Sequence, residues 1–333
     1  MQPVDPRDVS ILVPAYNEAA TISTLIESLT KHVPHAEILV VDDGSSDTTA
    51  EVAEASGARV IRHAYNIGNG AAVKTGLRNA SREYVILMDA DGQHQAADVP
   101  KILEHLGTYN MVVGERPASG QAGWHRLVAN TVYNSLATYV SEFPVRDLTS
   151  GFRGMRTSEA RRYLELLPNT FSYPTTLTLA YLRSGLTLRY VTIDIRQRIG
   201  TSKIRIWQDG TRFLLILTKI ATLFAPFRVF LPVSLGFFAT GFTYYLYTFV
   251  TAHRFTNMAA LLLSTGVIIF MLGLVSEQIS LMRSERIESA QMPESRIAKT
   301  IRPKSKRPRS ARKPSAPRAA ARTVAKAAKE GTR

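Results

Sequence analysis

Short runs rich in Val, Ile and Leu alternate with helical stretches between Ser10 and about Ile195. Apolar strand runs separated by helices are typical of a mostly parallel sheet that is covered by helices on both faces. The pattern therefore predicts an α/β domain over residues 8–208. Its predicted strands are Ile11–Val13, Ile38–Val41, Val60–Ile61, Tyr84–Met88 and Met111–Val113, and its predicted helices are Ala19–His32, Asp47–Ser56, Gly70–Ala80 and Ala97–His105.

After this domain the pattern changes into two long runs without a formal charge. Val229–Ala252 has 24 residues and Met258–Ser276 has 19. At about 1.5 Å per residue, the first run can cross a hydrocarbon core of ~30 Å with some tilt. The link His253–Asn257 has room only for a tight turn. We therefore predict two transmembrane helices, 229–252 and 258–277, that form a hairpin within 228–283; two buried core helices are the alternative.

Basic residues indicate how this integral membrane protein is oriented. Lys and Arg precede the first run and follow the second, and the link contains one Arg, so the positive-inside rule places both ends in the cytoplasm. Residues 1–9 carry three charges and no apolar run, which argues against a signal peptide. In 209–227, apolar side chains at helical spacing, with Arg212 and Lys219 among them, predict an amphipathic helix in the membrane interface.

Most of the net charge of +14 lies in the C-terminal segment. From Arg283 to Arg333 there are 16 Lys and Arg against 4 Asp and Glu, a net charge of +12. The composition of 294–333 predicts a disordered basic tail, since it contains too few apolar residues to form a core. We expect the tail to attract anionic lipids, at about 1 kcal/mol per basic residue near the surface. No aromatic residues are interleaved for base stacking, which argues against nucleic acid.

Two carboxylates follow a predicted strand in Asp89-Ala90-Asp91-Gly92-Gln93-His94. In extended backbone, side chains at i and i+2 point the same way, and adjacent carboxylates repel each other unless a cation lies between them. Hard oxygen ligands favour Mg²⁺ or Mn²⁺, and open α/β sheets bind ligands at the carboxyl ends of their strands. We therefore predict a divalent metal held by Asp89 and Asp91, with Gln93 or His94 completing the coordination. The absence of cysteine excludes thiolate ligands and disulfides.

Acidic and aromatic residues follow two other predicted strands. Asp43 follows the second predicted strand by two residues and is expected on the same sheet edge as Asp89, where a carboxylate can accept hydrogen bonds from a nucleobase or ribose. Pro14 is expected to end the ladder of the first strand. Tyr16 and Glu18 would then project over this edge, with Tyr16 against a base.

A glycine-containing segment, Asn66-Ile67-Gly68-Asn69-Gly70-Ala71-Ala72-Val73-Lys74-Thr75, partly matches two phosphate-binding motifs. A P-loop needs Gly immediately before Lys, and the dinucleotide fingerprint needs a third Gly; Val73 occupies that position in both cases. We exclude both motifs. Gly68 and Gly70 still permit close approach of the backbone at a helix N-terminus, which favours a diphosphate, and Lys74 is a further candidate substrate-binding residue.

Together these segments resemble the family-2 inverting glycosyltransferases of the GT-A fold. Within that family they look like the polyprenyl-phosphate sugar transferases, which include dolichyl-phosphate mannose synthase. The resemblance covers about residues 8–225, the hairpin matches relatives that carry one, and the basic tail lies outside the pattern. The motifs that carry it are Pro14-Ala15-Tyr16-Asn17-Glu18, Asp42-Asp43-Gly44-Ser45, Gly68-Asn69-Gly70, Asp89-Ala90-Asp91-Gly92-Gln93, Leu148-Thr149-Ser150-Gly151-Phe152-Arg153 and Arg198-Ile199-Gly200-Thr201-Ser202-Lys203.

The resemblance implies an activity and a role for each matching position. The activity would be inverting transfer of a hexose, mannose or glucose, from a GDP- or UDP-linked donor to polyprenyl phosphate. The implied substrate-binding residues are Pro14, Tyr16, Glu18 and Asp43 for the nucleoside, Gly68, Gly70 and Lys74 for the diphosphate, Asn130 for the acceptor phosphate, and Arg153 and Arg198. The implied metal ligands are Asp89, Asp91 and Gln93, and the groups expected to act in catalysis are Asp91, Arg116, Arg126 and Lys203.

Such a transfer needs no strong general base, because a lipid phosphate is already ionised at neutral pH. The metal and basic side chains would stabilise the departing nucleoside diphosphate, and arginines would orient the acceptor in line behind the anomeric carbon. The motifs leave open the sugar, the lipid chain and the choice between Mg²⁺ and Mn²⁺. A two-span anchor often self-associates, so a homo-oligomer is compatible with the sequence.

Two other activities are compatible with parts of the pattern. A processive polysaccharide synthase usually carries more spans and a Gln-x-x-Arg-Trp motif, which neither Trp124 nor Trp207 completes. A non-catalytic membrane scaffold that binds partners through its basic tail would not need the acidic residues.

Overall fold

The computed structural model describes residues 3–116, 124–169, 172–194, 218, 222–223 and 225–289. One seven-stranded sheet organises the first part, in the order β3-β2-β1-β4-β6-β5-β7. Only β6 runs antiparallel to its neighbours within this sheet. The strands are β1 Val9–Ala15, β2 Glu37–Asp42, β3 Arg59–Arg62, β4 Tyr84–Leu87, β5 Met111–Glu115, β6 Arg153–Arg156 and β7 Leu188–Thr192. The prediction of a mostly parallel α/β sheet is therefore confirmed.

Seven α-helices accompany the sheet in the described residues, and two longer ones follow it. The helices are α1 Ile22–His32, α2 Thr49–Ala55, α3 Asn69–Asn79, α4 Val99–Leu106, α5 Trp124–Ser141, α6 Thr157–Arg162, α7 Tyr173–Arg183, α8 Pro226–Ala252 and α9 Asn257–Ser289.

The sheet is buried on both faces, which explains its nearly continuous apolar strands. Along β1, Ile11 and Val13 belong to one core cluster together with residues of α1 and α4. Leu12 belongs to the other cluster, with residues of α3 and α7. Because successive side chains of a strand point to opposite faces, a strand covered on both sides must be apolar at every position.

Pro14 does not end β1, contrary to the expectation from sequence. The pairing with β2 continues to Ala15, opposite Asp42, whereas the pairing with β4 stops at Leu12. The Leu12 carbonyl accepts the N–H of Met88, so the backbone polar groups of Leu12 face the β4 side. Because the backbone groups of successive strand residues face opposite neighbours, those of Pro14 also face the β4 side, beyond the end of the pairing with β4. Its missing N–H therefore costs no ladder bond.

Two antiparallel helices, α8 and α9, form the C-terminal hairpin. Both are long and apolar enough to cross a membrane, over Pro226–Ala252 and Asn257–Met282. Small residues bring the helices together: the Ser234 hydroxyl donates to the Gly266 carbonyl at 2.8 Å, and a Cβ on Gly241 would lie 2.9 Å from Leu262 Cβ. Most of the predicted interfacial helix 209–227 and all of the predicted tail 294–333 lie outside the described residues.

Candidate active site

Three loops meet at the carboxyl edge of the sheet, and short polar side chains join them. The Asn17 N–H, after β1, donates to Ser45 Oγ after β2 at 2.9 Å, and the Ser46 N–H donates back to Asn17 Oδ1 at 2.9 Å. Thr21 Oγ1 donates to the Ala90 carbonyl, after β4, at 2.9 Å. These bonds hold the segments that carry Tyr16, Asp43 and Asp89 side by side.

Asp43 is 2% exposed and organises the loop that leads into α3. Its carboxylate accepts the N–H groups of Ile67 at 3.1 Å and Gly68 at 2.7 Å. It also lies 2.7 Å from His63 Nδ1, and His63 Nε2 lies 2.9 Å from Thr75 Oγ1 on α3. Sequence reasoning missed His63, because a lone histidine after a short strand carries no motif.

The turn at Gly44 brings this loop against the end of β2. Gly44 has φ +70°, and a Cβ there would lie 2.4 Å from the carbonyl carbon of Tyr65. Large apolar side chains remain exposed around this contact, with Tyr16 at 46% and Tyr65 at 69%. Glu18 is half-buried, and its Oε2 lies 3.1 Å from Thr21 Oγ1. Two exposed aromatic side chains, Tyr16 and Tyr65, thus lie on the loops next to the buried carboxylate of Asp43.

The Asp89 carboxylate lies in a crowded setting after β4. Asn69 at the start of α3 donates a side-chain hydrogen bond to it, and His94 Nε2 lies 3.9 Å from Asp89 Oδ2. The His94 ring is buried and stacks on Phe152, with centroids 5.3 Å apart. Burial raises the pKa of Asp89 above its ordinary value; His94 and Asn69 oppose the shift, while the charge of Asp91 adds to it.

Asp91 and Gln93 form a tight turn beside Asp89. The Gln93 N–H donates to Asp91 Oδ1 at 3.1 Å, and Gly92 between them has φ +72°. Among the described residues, no group of three His, Asp or Glu side chains is close enough to hold a metal without other donors.

Arg116, at the end of β5, is held by a buried partner that sequence reasoning missed. Its Nε and Nη2 donate to the two oxygens of Asp147 at 2.8 and 2.9 Å, and Nη2 also donates to Thr149 Oγ1. The same carboxylate accepts the N–H groups of Thr149 at 3.2 Å and Ser150 at 3.1 Å. Burial disfavours ionised Asp147, but Arg116 outweighs this effect and holds the pKa of Asp147 below its usual value.

Two predicted substrate-binding cations donate to protein carbonyls. Arg153 is fully buried; it donates to the Ser150 carbonyl from Nε at 3.1 Å and to the Pro174 carbonyl from Nη1 at 2.8 Å. Arg153 therefore supports the 147–151 turn from inside the core, and we assign it no direct contact with substrate. Lys74 Nζ donates to the Leu167 carbonyl at 3.2 Å.

The remaining predicted cations are only partly placed. Arg126 and Asn130 lie on α5, and their side chains are outside the described set. Arg198 and Lys203 lie outside the described residues. The structure thus brings Asp43, Gly68 and Asp89 to one edge, and the polar contacts of Arg116 and Asp147 join β5 to the turn beside them.

Comparison with known proteins agrees with this arrangement. Residues 10–164 match the family described as Glycosyl transferase family 2, and residues 225–282 match the GtrB C-terminal hairpin. The chain belongs to glycosyl transferase family 2. It is a glycosyltransferase of the GT-A fold with a two-span C-terminal hairpin.

Three relatives of named activity match this chain over most of their own length. Glycosyltransferase AglJ of Haloferax volcanii is 29% identical, over 85% of this chain and 97% of that protein. The undecaprenyl-phosphate mannosyltransferase of Micrococcus luteus is 28% identical, over 59% and 87%. The dolichyl-phosphate hexose transferase of H. volcanii is 29% identical, over 61% and 89%.

Solved structures of one enzyme share the fold. Glucosyl-3-phosphoglycerate synthase of Mycobacterium tuberculosis, in complex with Mn²⁺, UDP and glucosyl-3-phosphoglycerate, superposes with a TM-score of 0.52 and 24% identity. The match covers 64% of this chain and 78% of that one.

Proposed function

We propose that the protein transfers one hexose, mannose or glucose, from a GDP- or UDP-linked donor to polyprenyl phosphate, with inversion at the anomeric carbon. The observation that carries the proposal is the pair Asp89 and Asp91 at the carboxyl end of β4, in a family-2 domain attached to a two-span hairpin. The names of the relatives, an undecaprenyl-phosphate mannosyltransferase and a dolichyl-phosphate hexose transferase, support a polyprenyl-phosphate acceptor.

The donor would lie across the edge formed by the loops after β1, β2 and β4. Tyr16 would stack on the base, beside Pro14 and Glu18, while Asp43 holds the Gly68–Gly70 segment where its backbone can face the diphosphate. Lys74 lies on α3, and its bond to a carbonyl makes it a support for this helix in the proposal.

The carboxylates after β4 fit a divalent ion, Mg²⁺ or Mn²⁺. The charge of Asp91 disfavours the ionised form of Asp89, and a hard cation between the two carboxylates would relieve this repulsion. Asp89, Asp91 and the Gln93 amide would hold the ion, with the donor diphosphate supplying further oxygens. When bound, the ion would neutralise charge on the departing nucleoside diphosphate. The solved structure of the glucosyl-3-phosphoglycerate synthase contains Mn²⁺.

The acceptor phosphate would enter beside Arg116. Asp147 fixes the Arg116 guanidinium through two oxygens, so its remaining N–H groups have a defined direction. Arg126 and Asn130 on α5 would bind the same phosphate, and Arg198 and Lys203 would neutralise the phosphates from the segment after β7. The phosphate oxygen is already ionised, so these residues act by orientation and charge.

The membrane arrangement follows from the hairpin and the basic residues. We place the catalytic domain and the C-terminus in the cytoplasm, because Lys and Arg flank both spans on one side. The basic tail would attract anionic lipids, and the hairpin would allow self-association.

Transfer of labelled sugar into organic-extractable lipid tests the proposal. Purified protein in detergent receives polyprenyl phosphate and one donor at a time, with and without a chelator. We expect chelator-sensitive labelling from one donor, with one sugar per lipid. A product with many sugars would indicate a processive synthase, and no labelling by folded protein with metal present would contradict the proposed reaction.

Matched variants connect this assay to the carboxylates. Asp91→Ala should abolish transfer while membrane insertion is retained. Asp8→Ala, at an exposed acid before β1, should leave transfer unchanged. Retained turnover in Asp91→Ala would remove Asp91 from the metal site.

A further inference from the structure

Glu277 is the only formally charged residue within the apolar span Asn257–Met282. A carboxylate in a span is costly unless it is partnered, so its contacts indicate what it does. Its two oxygens have different partners. Oε2 accepts the N–H of Phe227 at 3.2 Å, and Oε1 lies 3.7 Å from Arg183 Nη2.

The first contact joins the two helices of the hairpin. Phe227 lies in the first turn of α8, where backbone N–H groups have no partner within the helix. Ala225, the N-cap residue, makes no side-chain cap. Glu277 on α9 therefore supplies an acceptor and a negative charge to the N-terminus of α8.

The second contact joins the hairpin to the catalytic domain. Arg183 is the last residue of α7. The first turn of α7 supplies the Pro174 carbonyl that accepts from Arg153, and Arg153 also donates to Ser150 in the turn beside Asp89. A continuous path of packed and hydrogen-bonded groups thus leads from Glu277 through α7 to the turn at the active site.

A second connection runs from α8 to α5. Arg228 pairs with Glu142 and donates from Nη1 to the Tyr139 carbonyl at 2.5 Å. Tyr139 belongs to α5, which carries Arg126 and Asn130 toward its N-terminus. Both α7, through Glu277, and α5, through Arg228, are therefore tied to the first turn of α8.

We propose that Glu277 is a positioning residue for the lipid acceptor, because it fixes the catalytic domain over the hairpin at the height where a membrane-held phosphate reaches the site. The inference rests on the proposed polyprenyl-phosphate acceptor. An acceptor held by the bilayer can approach only from one height, whereas a short soluble acceptor can approach freely. Loss of Glu277 should therefore impair transfer to the acceptor held by the bilayer and leave transfer to the short soluble acceptor unchanged.

The test compares two acceptors on the full-length protein in vesicles of neutral and anionic phospholipid. One acceptor is a long-chain polyprenyl phosphate in the bilayer, and the other is a water-soluble isoprenyl phosphate with two isoprene units. For Glu277→Gln and Arg183→Gln, we expect KM for the long-chain acceptor to rise about fivefold, the effect of breaking one partly exposed ion pair. KM for the short acceptor and kcat for both should stay within about twofold.

Two further variants separate the two contacts of Glu277. Glu277→Ala removes the cap and the ion pair together, so its effect should exceed that of Glu277→Gln. Arg183→Gln combined with Glu277→Gln should be no worse than either single change, because both remove the same pair. Glu165→Gln is the matched control, since Glu165 lies 3.6 Å from Arg78 within the catalytic domain.

A physical measurement complements the kinetics. The chain has no cysteine, so Glu54→Cys on α2 and Arg254→Cys in the hairpin turn accept a pair of spin labels without further changes. The distance distribution between the labels should broaden in Glu277→Ala and stay narrow in Glu165→Gln.

The outcomes separate this inference from the function on which it rests. Equal losses with both acceptors would show that Glu277 only supports folding, and unchanged kinetics with both would show that the pair does not position the domain; either result overturns the inference. A wild-type protein that labels neither acceptor overturns the proposed function, and this inference with it.

Discussion

Gly151 lies directly against Asp89, so that a Cβ on Gly151 would be 2.4 Å from Asp89 Oδ2. The absence of a side chain at position 151 is what allows the Asp89 carboxylate to stay in place beside Asp91. Gly151 in turn is set by Asp147, which accepts the N–H of Ser150. The geometry after β4 therefore depends on a turn that comes about sixty residues later in the chain.

Gly151→Ala should displace the Asp89 carboxylate and reduce transfer by about 10²-fold, the scale expected when a reacting group is misplaced by an ångström. The metal concentration needed for half-maximal activity should rise as well. The fold should tolerate the change, because the clash involves the end of one short side chain.

Activity titrated with Mg²⁺ or Mn²⁺ measures both effects. Gly236→Ala is the control, since a Cβ there meets no atom within 4 Å. Unchanged metal dependence in Gly151→Ala would show that the position of Asp89 does not matter for the ion.

Asp147→Asn should weaken use of the acceptor through Arg116. The amide can accept only one of the two hydrogen bonds from the guanidinium without a repulsive N–H contact, and it carries no charge. We expect kcat/KM for the lipid acceptor to fall about tenfold to a hundredfold while KM for the donor changes little. Steady-state kinetics with each substrate varied in turn measures this difference. An equal rise in both KM values would show that Asp147 supports the whole edge of the sheet.

The same pair predicts how stability depends on pH. Burial disfavours the ionised carboxylate of Asp147 in the folded protein, but the hydrogen bonds and charge of Arg116 lower its pKa below the ordinary value. Folding therefore favours the ionised carboxylate, and this stabilisation is present above the unfolded pKa and is lost as pH falls through the folded pKa. Melting temperature in detergent, measured from about pH 6 to pH 3, should fall more steeply for the wild type than for Asp147→Asn. Parallel curves would contradict the prediction.

The sequence predicted the elements whose signal is local. A buried strand followed by Asp89 and Asp91 can be recognised within ten residues, and an uncharged run of 24 residues can be recognised within one continuous segment. Arg116 and Asp147 are 31 residues apart in the chain, and the antiparallel pairing of β5 with β6 brings them together. No hydrophobic periodicity in the sequence predicts this ion pair.

Arg153 shows a second limit of sequence reasoning. It is the last residue of the motif Leu148–Arg153, so its position indicated a substrate contact, but only the pleat of β6 decides that its side chain turns into the core. The strand β6 itself is short and antiparallel, and its sequence Arg153–Arg156 is not apolar enough to be recognised.

His63 should affect the donor, because it bridges Asp43 to α3. If Nδ1 donates to Asp43 and Nε2 accepts from Thr75, the ring holds the carboxylate that orients the N–H groups of Ile67 and Gly68. His63→Ala should raise KM for the donor about tenfold, by loss of a charge-assisted hydrogen bond in a buried site, with little change in KM for the acceptor.

Conservative variants at this position distinguish positioning from packing. The side-chain amide of Asn places its NH₂ near the position of Nδ1, so His63→Asn should keep the bond to Asp43 and recover most of the affinity for the donor. In Gln the NH₂ lies near the position of Nε2, so His63→Gln should recover less. Kinetics with the donor identified by the transfer assay gives both values. Equal defects in all three variants would mean that His63 fills space beside Asp43 and does not orient it.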